Sequence, residues 1–274
     1  MPLVTYISTC MGRLEHLRRA LPTWLAQPDA EVVVVDWSCP DGSGDWVEAH
    51  HPSAAVVRVP GRAHFNLAAA RNAGAARASG RWLCFVDADV LLAPGFSGLV
   101  HPLLDPAAYL LSEGGPHELM GTVIVPADAF RAVGGYDEAI EGWGAEDHDL
   151  YTRLRWRGLA RRRYPHQVLT PIPHDESQRV AHAALKDRGV NWMVNRAYLE
   201  AKWTFLKLRE EELDLEARRD LYRHVRATIL EALESGRDPE LAFSLGWRRL
   251  ISGVEYEAGF TVRLRPAGGG AFRG

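Results

Sequence analysis

Apolar and polar positions alternate along the first half of the chain in two different rhythms, and these predict an alternation of strands and helices. Leu3 to Ser8 reads as a strand. Leu14, Leu17, Leu21 and Leu25 then recur at three- and four-residue intervals with charges between them, which predicts a helix from about Arg13 to Leu25. Glu31 to Asp36 forms a second strand, and Ala54 to Val59 a third. Between them the turn formers Ser38-Cys39-Pro40-Asp41-Gly42-Ser43-Gly44 predict a loop at the carboxyl end of the second strand, with Asp36 at its mouth. Leu67 to Ala78 is an alanine-rich helix closed by Gly80. Trp82 to Val86 is a short apolar run bounded by Gly80-Arg81 and Pro94-Gly95, the mark of a buried strand. Strands and helices in alternation imply an α/β fold, a mainly parallel sheet covered by helices. Beyond residue 198 the pattern changes. Glu200 to Glu234 is rich in charge and places Leu221, Val225, Ile229 and Leu233 on one helical face before a break at Gly236-Arg237-Asp238-Pro239. The expected organisation is therefore an α/β domain over 1–198, a helical extension over 199–265 and a flexible tail over 266–274.

Composition narrows the possibilities. A chain of 274 residues, 47% of them hydrophobic, can bury one large core or one domain with an appendage. A net charge of -3 gives no reason to expect nucleic acid or an anionic membrane surface as partner. No apolar run approaches the ~20 residues that a membrane span requires. The start Met1-Pro2-Leu3-Val4-Thr5-Tyr6 reads as a first strand, not an export signal, so a cytoplasmic location is expected. Cys10, Cys39 and Cys84 are too scattered for a disulfide framework or a thiolate metal site and are expected to be reduced core residues.

Three groups of residues carry candidate chemistry. The first is Asp87-Ala88-Asp89 at the end of the apolar run Trp82 to Val86. In open α/β sheets ligands gather at the carboxyl ends of strands, and paired carboxylates there suit a hard cation that neutralises a diphosphate. The second is Gly142-Trp143-Gly144-Ala145-Glu146-Asp147-His148-Asp149. Leu150 and Leu154 share a face, so these acids occupy the first turn of a helix. Acidic residues are favoured there by the helix dipole alone, yet an indole on a close-approach loop beside them offers a flat surface for a sugar ring. The third is His174, in a polar loop after the strand-like Gln167 to Ile172, an imidazole that could complete a metal site begun by Asp89.

With these residues the chain resembles a glycosyltransferase of the GT-A fold, family 2 group, close in motif to the β-1,4-galactosyltransferases and the bacterial chondroitin-polymerase type. Gly12 to Leu17, Phe65 to Gly74, Phe85 to Val90, Gly134 to Glu138 and Gly142 to Leu150 match in order, with His174 following, over roughly residues 3 to 180. The resemblance implies a metal-dependent, inverting transfer of a hexose or N-acetylhexosamine from a UDP-sugar to a saccharide or glycoconjugate hydroxyl. Thr9, Arg13, Asp36, Phe65, Arg71, Asp87, Ala88 and Trp143 would bind the donor, with Asp36 on the uracil and Arg13 and Arg71 near the ribose and diphosphate. Asp89 and His174 would hold Mn2+ or Mg2+, and Asp147 would be the general base, kept ionised by its helix-terminal position. Trp143, Gly144 and Glu146 would join Asp147 in binding the acceptor.

Departures from the pattern are informative. Leu67 stands where the animal galactosyltransferases have arginine, His148 where they have a further acid, and Ile172 or Pro173 near their methionine ligand. Other readings are a polyprenyl-phosphate or peptide glycosyltransferase, and a nucleotide-sugar-binding protein without turnover. A nucleotidyltransferase would need a glycine-rich phosphate loop followed by lysine, which Ser8 to Arg13 does not supply.

Overall fold

Apolar residues on both faces of the central strands bury the sheet from two sides. In the computed structural model, which describes residues 3–114, 119, 121–252 and 254–265, β1 (Val4–Cys10), β2 (Ala30–Asp36), β3 (Ala55–Arg58) and β4 (Trp82–Phe85) pair in parallel in the order β3-β2-β1-β4. The sheet continues through β7 (Val123–Pro126), antiparallel to β4, to β6 (Ala108–Glu113) and β8 (Ala160–Pro165), which are parallel to each other. Tyr6, Val32, Val34 and Cys84 lie on one face with Leu17, Leu21 and Trp24 of helix α1 (Leu14–Leu25). Ile7, Val33, Leu83 and Phe85 lie on the other with Ala68 and Ala75 of helix α3 (Leu67–Arg77). The pleat produces this division, since successive side chains point to opposite faces.

The elements predicted through residue 86 appear within a residue or two of their expected bounds, and the loop expected after β2 contains a further helix. Ser43 and Gly44 are the first turn of a helix, α2 (Ser43–His50), where only a loop was expected. The Asp36 carboxylate explains it, because Oδ2 accepts from Gly44 N at 2.7 Å and satisfies an amide that the first turn cannot. The remaining elements of the first half are β5 (Val90–Leu92), α4 (Phe96–Val100), α5 (Ala127–Ala132), α6 (Glu146–Trp156) and β9 (Leu169–Pro171). β5 and β9 form a small antiparallel ladder of their own.

The chain divides into two compact units, Met1–Asp137 with Glu146–Ala184, and Glu138–Ala145 with Leu185–Gly274. The second unit holds α7 (Arg188–Arg209), α8 (Leu215–Glu234) and an antiparallel hairpin, β10 (Glu240–Ile251) with β11 (Val254–Arg263). Residue 198, the expected domain boundary, lies inside α7. Leu221, Val225 and Ile229 are buried and Leu233 packs against them, as the helical periodicity predicts. The expectation of helices alone misses the hairpin, whose inward Leu241, Phe243 and Leu245 complete that core. Its alternation is short and arginine-interrupted after Gly246, so period-two patterning is weak there. The expected tail over 266–274 lies outside the described residues. Among the described residues no helix is long and apolar enough to cross a membrane.

Candidate functional site

Arg71 is the centre of the site in the first unit. It sits on α3, whose N-cap Asn66 accepts from Ala69 N at 2.9 Å. Its side chain is 3% exposed and binds three carboxylates: Asp87 at 2.9 Å, Asp147 at 2.8 Å and Glu146 at 3.3 Å. The guanidinium also lies over the Tyr136 ring, 5.0 Å from its centroid. The resemblance placed Arg71 near the donor ribose and diphosphate. The structure gives this buried cation three carboxylate partners, as burial of a charge demands.

Asp87 follows the carboxyl end of β4, and Glu146 and Asp147 open α6. Asp147 Oδ1 accepts from Arg71 and, at 3.3 Å, from the Tyr136 hydroxyl. Tyr136 is itself held by Asn72, which exchanges two hydrogen bonds with its backbone at 2.8 and 2.9 Å. Burial, with Asp147 beside it, raises the pKa of Glu146. Burial also raises that of Asp147, with Arg71 opposing. The helix dipole therefore does not by itself keep Asp147 ionised, and Arg71 supplies the compensating charge. Gly121 closes this cluster from above, since a Cβ there would stand 2.7 Å from Asp87 Oδ2 and 3.0 Å from Arg71 Nη2.

Asp89 and His174 meet through the β5–β9 ladder. Val90 pairs with Pro171, and Ile172 N donates to Asp89 O at 2.6 Å, which carries His174 to the aspartate. His174 Nε2 lies 2.8 Å from Asp89 Oδ2, while its Nδ1 faces the Asp175 carbonyl at 3.0 Å. An Nδ1–H donated to that carbonyl leaves a lone pair on Nε2 facing a carboxylate oxygen. Such a pair of acceptors requires a shared proton or a cation, and carboxylate with imidazole is a donor set that Mn2+ accepts. Burial and the neighbouring Asp87 raise the pKa of Asp89, so the site favours a positive partner. Among the described residues no group of three or more His, Cys, Asp or Glu is placed to hold a metal.

The remaining candidates line the carboxyl ends of β1, β2 and β4. Thr9 and Ala88 are buried. Arg13 reaches Gln178 Oε1 at 3.1 Å and stands 3.9 Å from Asp89. Phe65 N donates to His182 O at 2.9 Å. Both Asp36 oxygens accept backbone amides, Cys39 N at 2.8 Å and Gly44 N at 2.7 Å, and each retains a second lone pair for a ligand. Cys39 is only half-buried, contrary to the expectation of a core residue, and its sulfur lies 3.8 Å from that of Cys10.

Trp143 and Gly144 belong to the second unit. Their loop is pinned, not flexible as its glycines imply. Asn195 Nδ2 donates to the carbonyls of Glu141, Trp143 and Gly144 at 3.1, 3.2 and 2.7 Å. Arg188 covers the Trp143 ring at 4.4 Å. Sequence reasoning missed Gly121, Tyr136 and Asn195 as supports. Tyr136 stood inside a matched block, but nothing in the sequence said which carboxylate it would meet.

Residues 5–157 match the profile described as Glycosyl transferase family 2. The chain belongs to that family. Solved family-like structures agree in fold at low identity. The mannosyltransferase PcManGT from Pyrobaculum calidifontis, in complex with GDP-Man and Mn2+, is 21% identical with a TM-score of 0.53, over 85% of this chain and 75% of that one. TarS from S. aureus is 14% identical with a TM-score of 0.57, over 80% of this chain and 42% of that one. Its 1-349 form in complex with UDP-GlcNAc gives a TM-score of 0.52 at 14% identity, over 99% of both chains. Comparison with curated protein sequences gives no significant match. This family 2 glycosyltransferase thus has the GT-A fold, and its matched segment contains Arg71, Asp87, Asp89, Glu146 and Asp147.

Proposed function

We propose that the protein transfers a hexose or N-acetylhexosamine from a UDP-sugar to a saccharide or glycoconjugate hydroxyl, with inversion at the anomeric carbon. The observation that carries the reading is that Asp87, at a strand end, and Asp147, at a helix start, bind the same buried guanidinium. One marks the donor side and the other a base within reach of the same space.

Asp36, Arg13, Phe65, Thr9, Asp87 and Ala88 form the donor side, at the carboxyl ends of β1, β2 and β4. Asp89 and His174 would hold Mn2+ or Mg2+, which when bound would offset the charge of the departing nucleoside diphosphate. Asp147 is the base. Its Oδ1 is occupied by Arg71 and Tyr136, which leaves Oδ2 to accept the acceptor's hydroxyl proton as the oxygen attacks carbon. Glu146, more buried and raised in pKa, is suited to hold a proton and position the acceptor. One displacement from the face opposite the leaving group gives inversion.

Calorimetric titration with UDP, GDP and their sugars, each with and without Mn2+, tests the donor site. Manganese-dependent UDP binding is expected, weakened in Asp89→Ala. Asp147→Asn should retain that binding and lose turnover. Preference for GDP would replace the donor assignment, and no nucleotide binding at all would sink the transferase reading.

A further inference from the structure

The far edge of the large sheet carries a cationic cavity that the donor chemistry does not use. β6 and β8 run parallel with Tyr109 opposite Arg161 and Leu111 opposite Arg163, so these four side chains share one sheet face. Arg162, between the two arginines, points to the other face and binds Asp105 and the Leu103 carbonyl. Helix α6 borders the first face with His148, Tyr151 and Arg155, and the cavity between them, about 420 Å³ in volume, is open to solvent on the side of the exposed Arg161 and Arg163. That volume suits a ligand the size of one or two sugar rings.

The cavity's charge is one-sided. Arg155, Arg161 and Arg163 line it, and no carboxylate does among the described lining residues. Arg161 and Arg163 make no hydrogen bond or ion pair with any described residue, and Arg155 only reaches Thr152 Oγ1 at 3.2 Å. Like charges gathered on one face cost stability, and an arriving anion removes that cost. Planar guanidinium forks match the oxygens of phosphate, sulfate or carboxylate. The floor is aromatic, with the Tyr109 and Tyr151 rings stacked at 5.6 Å. An apolar floor under a rim of guanidiniums fits a sugar that bears an anionic group.

The cavity also adjoins the base. Tyr151 lines it and lies one helical turn after Asp147 on α6, and burial, then the Asp147 charge, pushes its hydroxyl pKa up. His148 directly follows Asp147 in the same helical turn. The donor residues lie at β1, β2 and β4, with β7 between them and this edge.

We propose that this cavity is an acceptor subsite for an oxyanion carried by the acceptor saccharide, a phosphate, sulfate or carboxylate. The proposal rests on the transferase reading for the word acceptor, and on the cavity alone for the anion.

The test titrates the full chain at low ionic strength with three probes: a sulfated glycosaminoglycan oligosaccharide, an oligogalacturonate and an oligomeric glycerol phosphate, beside a neutral oligosaccharide of equal length. UDP is titrated in parallel. At least one anionic probe should bind more tightly than the neutral one, and which one identifies the source of the charge. In R161Q/R163Q its affinity should fall roughly tenfold or more, the loss of charge-assisted hydrogen bonds, while UDP binding stays unchanged and the melting temperature does not fall. R161K/R163K, which keeps charge but not the fork, should fall between. Equal affinity for charged and neutral probes, or equal affinity in wild type and R161Q/R163Q, overturns the subsite while UDP binding keeps the transferase reading. Anion binding with no nucleotide binding overturns the acceptor assignment together with that reading.

Discussion

Replacing Arg71 by methionine removes the cation that Asp87, Glu146 and Asp147 share among the described residues, and leaves the packing volume nearly intact. The guanidinium is buried and its three ion pairs are 2.8 to 3.3 Å long. Breaking a buried pair from one side costs about 3–5 kcal/mol, because the partners stay buried and uncompensated. The loss should depend on pH, and its sign follows from the carboxylates. Burial raises the folded pKa of Glu146 and of Asp147 above their unfolded values. Their contribution is therefore fully present below an unfolded carboxylate pKa of about 4 and is lost as pH rises through the folded values. Without Arg71 the folded values rise further, so the deficit relative to wild type grows with pH. Denaturant unfolding followed by tryptophan fluorescence at pH 5, 7 and 8 measures this. Arg71→Met should lose about 3 kcal/mol or more at pH 8 and visibly less at pH 5. A loss below about 1 kcal/mol that is the same at all three values would show that the acids do not depend on this cation.

Two further outcomes follow from single positions. Hydrogen bonding from Cys10 lowers the Cys39 thiol to about 5, so its iodoacetamide labelling should be flat above pH 6 and absent in Cys39→Ser; labelling that climbs tenfold per pH unit toward the usual thiol range would contradict it. Gly12 has φ +69°, and a Cβ there would stand 2.0 Å from His182 Nε2. Gly12→Ala should cost about 1–2 kcal/mol by thermal unfolding, and adding His182→Ala should recover only part, because the left-handed backbone still opposes a side chain.

How much of this was legible beforehand differs by region. Apart from α2, the strand and helix order through residue 86 follows from periodicity, because buried strands and amphipathic helices impose two distinct spacings. Asp87 and Asp89 were placed at a strand end, and Glu146 and Asp147 at a helix start, by the same rules. Their meeting on Arg71 was not legible. Nothing local distinguishes that arginine from a solvated one, since its three partners come from two distant elements. Helix α2 was hidden because its start is formed by the distant Asp36 side chain and not by a residue of the loop. The hairpin β10–β11 was hidden because its strands lack clean alternation. The cavity under α6 was illegible too: Arg161-Arg162-Arg163 reads as a solvated run until the register separates two of them from the third.

The depth at which Arg71 sits is set by the smallest residues of its helix. α3 carries Ala68, Ala70, Ala75 and Gly74 toward the sheet, and a Cβ at Gly74 would stand 2.4 Å from Ile7 Cγ2 and 3.0 Å from Val35 Cγ2. Gly74 is helical, so alanine gains helix propensity there, and only the close approach opposes it. The overpacking term, about 1–3 kcal/mol, exceeds that gain of about 1 kcal/mol. Gly74→Ala should therefore destabilise the protein. It should also push α3 outward, and with it the guanidinium that joins the strand acid to the helix acids. Gly74→Ala should thereby weaken nucleotide binding, and Ile7→Ala, which deletes the nearer methyl, should restore it in the double variant even though Ile7→Ala alone lowers stability. If the double variant is simply the sum of the two losses, the spacing of α3 over β1 does not set the geometry of the site, and Arg71 must be held there by its carboxylates alone.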